Sequence, residues 1–128
     1  MTHQNFDEYQ IKLIEKVIGM RDTKGKEYAN SESRFANFDR AAAELGLTNI
    51  QVAWVYIKKH LDGIASFCRT EKELSESIEG RIVDAIVYLT LIAGMIVEKQ
   101  GALKLKKFID SNVGKHQPFE YDPKQTTE

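Results

Sequence analysis

The stretch SESIEGRIVDAIVYLTLIAGMIVEK, residues 75–99, decides the fold class. From Ile82 to Val97 nearly every side chain is apolar. At about 100° per residue Ile78, Ile82, Ala85, Ile86, Leu89, Ala93 and Ile96 fall on one side of a helix, the expected core stripe. The opposite side carries Val87, Leu91, Gly94 and Met95, so no broad face of this helix suits water. It belongs at the centre of a bundle or in a subunit interface. Between the two sides runs one polar strip, Ser77, Arg81, Asp84 and Tyr88, at spacings of three and four. An acid and a base on a mostly buried helix are expensive to desolvate unless they are paired or hold a ligand.

Working outward, the same periodicity predicts three earlier helices. Phe6, Tyr9, Leu13, Val17 and their neighbours mark the first, Phe6 to Met20, followed by a charged loop from Arg21 to Ser33. Ser31 or Ser33 caps the second, which sets Phe35, Phe38, Ala42 and Leu45 on one face and stops at Gly46. Thr48 or Asn49 caps the third, residues 49–69, with Ala53, Trp54, Ile57, Leu61, Ile64 and Cys68 as its stripe. Thr70 and Glu73 have the spacing of a capping box opening the fourth, and Gly101 ends it. Residues 102–128 hold a short basic amphipathic piece and then a polar tail with Pro118 and Pro123, from which Phe119 and Tyr121 are the aromatics able to dock. No strand-like alternation appears. The expectation is an all-α bundle of four main helices over residues 1–101, assembled as a homo-oligomer, with residues 102–128 as an appendage.

The chain has 128 residues, enough for one domain with a real core. Its 18 basic and 19 acidic side chains leave a net charge of -1, so no global field draws it to nucleic acid or an anionic membrane. The single Cys68 forms no internal bridge and reads as a small buried residue. The start MTHQNFDEYQ is unlike a signal peptide, and Ile82 to Val97 falls short of the ~20 apolar residues that span a bilayer. A soluble, cytoplasmic protein is expected.

Two explanations fit the polar strip. One is a structural Arg81–Asp84 pair capped by Tyr88. The other is a pocket in which Asp84 holds a metal ion and Arg81 meets a phosphate. On the third helix Tyr56, His60, Gly63 and Phe67 share an edge, with Lys59 beside them. A lone histidine there is more often a satisfied half-buried residue than a ligand, and Lys58 and Lys59 ordinarily form a solvated face. Together with Tyr56 and Tyr88, however, they suit a nucleotide, with a flat ring for the base and cations for the phosphates. Glu76 and Glu79 have the three-residue spacing by which helices collect Mg²⁺; the alternative is a solvated first turn favoured by the helix dipole. The loop Lys24-Gly25-Lys26 lacks the glycines of a phosphate-cradling P-loop. With no HExxH, no paired CxxC and only His3, His60 and His116, zinc catalysis and a Ser-His-Asp triad have little support.

The pieces K-G-K-E-Y-A at 24–29, R-F-A-N-F at 34–38, W-V-Y-I-K-K-H at 54–60 and E-x-I-E-x-R-I-x-D-A-I-x-Y at 76–88 stand in a recognisable order. Together, over residues 20–97, they resemble small phage and prophage proteins related to the nucleotide-modification-associated domain family, and more distantly the MazG-like all-α nucleotide pyrophosphohydrolases. The resemblance implies an oligomeric helical bundle that handles a nucleotide between helices, with acidic residues holding Mg²⁺ against its phosphates. Carried onto this chain, Asp84 and Glu79 take the catalytic positions, and Asp84, Glu76, Glu79 and Glu27 are the candidate Mg²⁺ ligands. Lys59, His60, Arg81, Tyr56, Tyr88, Lys26 and Asn37 are the candidates for nucleotide binding. The third helix offers Lys58, Lys59 and His60 where those enzymes carry paired glutamates. A non-catalytic protein, such as a phage sponge sequestering a host-defence nucleotide signal, is therefore the alternative. A structural or protein-interaction module is the second.

Overall fold

The computed structural model describes residues 1–27 and 33–112, with backbone alone at 20–27 and 112. The described residues form five helices and no strand: α1 (His3–Glu27), α2 (Ala36–Leu45), α3 (Asn49–Thr70), α4 (Ile78–Gln100) and α5 (Ala102–Asn112). The chain is all-α. The antiparallel pair α3–α4 is the spine; α2 leans on α3, while α1 and α5 lean on α4.

Local chemistry sets most helix ends. The Thr48 hydroxyl accepts the Gln51 N–H at 3.2 Å and the Gln51 side chain accepts the Thr48 N–H at 2.9 Å, a reciprocal box that opens α3. Gly46, at φ 68°, closes α2 in the left-handed conformation that glycine adopts without strain. No such box forms at Thr70 and Glu73. Thr70 ends α3, and its hydroxyl donates back to the Ser66 carbonyl at 3.0 Å. The cap of α4 is Ser77, whose Oγ accepts the Gly80 N–H at 3.0 Å, while the Glu73 carboxylate accepts the Ile78 N–H at 2.9 Å. Residues 71–77 are needed to reverse the chain, so α4 starts later than the expected Ser75.

Two further expectations are corrected. Helix α1 runs to Glu27, through residues where a loop was expected, because Lys, Arg and Glu propagate a helix well even without an apolar stripe. Ser31 lies outside the described residues, and Ser33 does not cap α2: the N-cap is Phe35, with no side-chain cap, and Ser33 Oγ accepts the Phe35 N–H at 3.1 Å before the helix begins. The basic amphipathic piece is the whole of α5. The expected tail, with Phe119 and Tyr121, lies outside the described residues.

The orientation of α4 is the main departure. Val83 and Val87 pack with Val17 of α1, flanked by Leu13, Ile86 and Leu91. Met95 and Ala85 are buried, as are Val52, Ala53 and Ile57 of α3 and Ala42 of α2. Of the expected α4 stripe only Ala85 is buried, and Leu89 is 52 % and Ile96 41 % exposed. The polar strip turns inward, because α3 supplies partners for it. A smaller rotation leaves Trp54, Leu45 and Cys68, all expected in the core, exposed. Where Phe35, just before α2, reaches α4, a Cβ on Gly94 would lie 3.0 Å from its ring, so a larger residue there would make the ring shift. By length and composition α4 is apolar enough to cross a membrane, the one such helix among the described residues, which corrects the expectation that its apolar run falls short of a span.

Candidate functional site

Helical periodicity puts Tyr56, His60 and Gly63 on one line of α3 and Arg81, Asp84 and Tyr88 on one line of α4. Because the helices are antiparallel, the two lines meet in register: Tyr56 by Tyr88, His60 by Asp84, Gly63 by Arg81. The convergence depends on packing that no single helix specifies.

At one end, the Arg81 guanidinium occupies the space left by Gly63. A Cβ on that glycine would come within 2.5 Å of Arg81 Nη1 and 2.6 Å of its Cζ. Nη1 donates to the Lys59 carbonyl at 3.3 Å, and Glu76 Oε2 stands 3.9 Å away. No Arg81–Asp84 ion pair forms, so the structural pair weighed from sequence gives way to two separate sets of contacts. Beside Arg81, a small recess of about 30 Å³ opens at the α3–α4 turn, lined by Phe67, Lys72, Glu76 and Ile78 among others.

At the middle, His60 is 4 % exposed, the single buried polar side chain among the described residues. Its ring stacks on Tyr88 with centroids 5.7 Å apart. Its Nδ1 lies 3.8 Å from Asp84 Oδ2, too far for a hydrogen bond, and has no hydrogen-bond partner. Burial, the largest influence, pushes the imidazole pKa below its ordinary value. Asp84 and Glu76 pull it upward and Lys59 and Arg81 downward, with the net shift down. A neutral imidazole has a lone pair to offer. His60, Glu76 and Asp84 each place one donor atom within 4.8 Å of the others.

At the far end, Phe38 of α2 joins Tyr56 and Tyr88, with ring centroids 5.7 to 6.4 Å apart in tilted and edge-on arrangements. Tyr56 is half-exposed, so this cluster opens to solvent.

The seam thus unites His60, Arg81, Asp84, Glu76, Tyr56 and Tyr88, with Lys59 contributing its carbonyl. Glu79 lies elsewhere: its carboxylate meets Lys16 of α1. Asn37, on α2, accepts from the Arg40 guanidinium. The side chains of Lys26 and Glu27 lie outside the described residues. Phe38 was read only as core, and its place in the seam depends on how α2 packs against α3. Glu76 and Asp84 are oxygen donors of the kind Mg²⁺ accepts, so the carboxylates present fit that ion; the imidazole nitrogen is not a donor that Mg²⁺ favours. No family model, curated protein or solved structure matches this chain.

Proposed function

We propose that this chain is a MazG-like helical protein that binds a nucleotide along the α3–α4 seam. One observation supports the reading above others: aromatic faces, an imidazole, two carboxylates and a guanidinium stand in sequence along a single seam. Tyr56 and Tyr88 present rings against which a base can stack. Lys59 and Arg81 supply positive charge for phosphates, Arg81 from a side chain already held in place over Gly63. Mg²⁺ bound by Asp84 and Glu76 would neutralise phosphate charge.

Binding without cleavage is the second reading, and a specific observation favours it. The one acid on α3, Asp62, is held by Lys58 at 2.6 Å, so α3 brings no carboxylate to the seam. A sponge that sequesters a nucleotide signal in the host cytoplasm, encoded by a phage, fits that departure from the enzymes. The open apolar face of α4, with Leu89 and Ile96, supports assembly as a homo-oligomer.

The test is a thermal-shift screen of nucleoside mono-, di- and triphosphates and cyclic nucleotides, with and without Mg²⁺. A true ligand at a hundredfold its Kd stabilises the fold by about 2.7 kcal/mol, an easily read rise in melting temperature. Chromatography of the recovered ligand then separates the readings: product means hydrolysis, intact ligand means sequestration. If turnover is found, Asp84→Asn should abolish it. If no nucleotide raises the melting temperature, the proposal fails and a protein-interaction module takes its place.

A further inference from the structure

We infer that His60, Glu76 and Asp84 form a site for a divalent first-row transition ion of the Mn²⁺ to Zn²⁺ series, bound through one nitrogen and two oxygen donors.

The unpartnered nitrogen is the starting point. Buried side-chain nitrogens are nearly always hydrogen-bonded, yet His60 Nδ1 faces a carboxylate and makes no hydrogen bond to it. An ion bridging the two groups would satisfy both. Spacing agrees with this. Two donors each about 2.1 Å from one ion can stand at most about 4.2 Å apart, and Nδ1 and Asp84 Oδ2 are 3.8 Å apart. The third donor needs a small approach, since the trio spans up to 4.8 Å. Glu76 can make it, being an exposed side chain on the turn before α4 rather than a packed one.

The surroundings leave His60 and Asp84 available, and Glu76 has one competitor, Arg81 Nη1 at a loose 3.9 Å. Arg81, the nearest guanidinium, is turned toward the Lys59 carbonyl and the space over Gly63, so it does not pair with Asp84. The ring of His60 is fixed by its stack on Tyr88 and by the packing around it, which preorganises the nitrogen. Donor chemistry then selects the ion. Imidazole suits Fe²⁺, Ni²⁺ and Zn²⁺, and the two carboxylates extend the set to Mn²⁺, whereas Mg²⁺ keeps water and oxygen ligands and would engage the two carboxylates alone. The ion site does not depend on a nucleotide binding beside it.

The test uses the full chain, stripped with a chelator and titrated with Co²⁺, Zn²⁺, Mn²⁺ or Mg²⁺ alone, by calorimetry and by the visible absorption of bound Co²⁺. One transition ion should bind per chain in the presence of excess Mg²⁺. Glu76→Gln and Asp84→Asn should each weaken it by about tenfold or more, with unchanged circular dichroism. His60→Gln should remove the preference for Co²⁺ over Mg²⁺. Because His60 is buried and its variant can misfold, Glu76→Gln, at an exposed side chain, carries the decision. Replacing His3 and His116 by Gln should change nothing. Wild-type binding by Glu76→Gln and Asp84→Asn, equal affinity for Mg²⁺ and Co²⁺, or no ion bound at all would each overturn the inference. A chain that binds Co²⁺ but no nucleotide would refute the nucleotide proposal alone.

Discussion

Helix α4 presents two long faces, and each sits opposite to where composition would put it. The side with Arg81, Asp84 and Tyr88 lies against α3; the side with Leu89, Ala93 and Ile96 looks outward. The inward side succeeds because α3 meets each polar group with something suited to it: a glycine and a carbonyl for Arg81, an imidazole for Asp84, rings for Tyr88. Met95 and Ala85 add the apolar burial that side still needs. Complementarity with a partner, rather than the apolar count of a face, chose the direction of burial. The outward side is left with Leu89 and Ile96 exposed, the surface on which the proposed homo-oligomer would assemble.

The contrast can be tested between adjacent residues. Met95→Ala, at a side chain 1 % exposed, should cost about 2–5 kcal/mol in chemical denaturation. A much smaller loss would mean that the buried face is not the supporting one. Gly63→Val should cost about 1–3 kcal/mol by expelling the Arg81 guanidinium. Pairing it with Arg81→Ala should recover part of the loss, and strict additivity of the two would show that they do not touch. Ser77→Ala should remove about 1 kcal/mol, the usual worth of such a cap at the start of the inward strip.

The smallest effect belongs to the outward face. Ile96→Ala should change the stability of a dissociated chain by no more than about 0.5 kcal/mol. On the same face Leu89→Glu should leave the melting transition of a dilute chain unchanged and lower the mass seen by sedimentation. An unchanged mass would show that this face does not hold copies together.

Helices and their caps were readable where the chemistry is local. Thr48 and Gly46 act on backbone groups within four residues, so their sequence signals suffice. Thr70 misled because Ser77, closer to the apolar run, offers the same cap chemistry. The rotation of α4 was not readable: with apolar residues on both sides of the wheel, its preferred face depends on Gly63 and His60 in another helix. Glu79 illustrates the same limit, since the partner that draws it from the seam, Lys16, is on α1 and remote in sequence. Of the seam itself, the strip on α4 and the edge on α3 were each legible. Their meeting in register, and the entry of Phe38, were not.

All three of the clustered donors come from residues 60–84, the two arms and the turn of a single helical hairpin. Closing so short a loop loses little chain entropy, and contacts this near in sequence form early in folding. The seam can therefore assemble once α3 and α4 close on each other, before α5 docks.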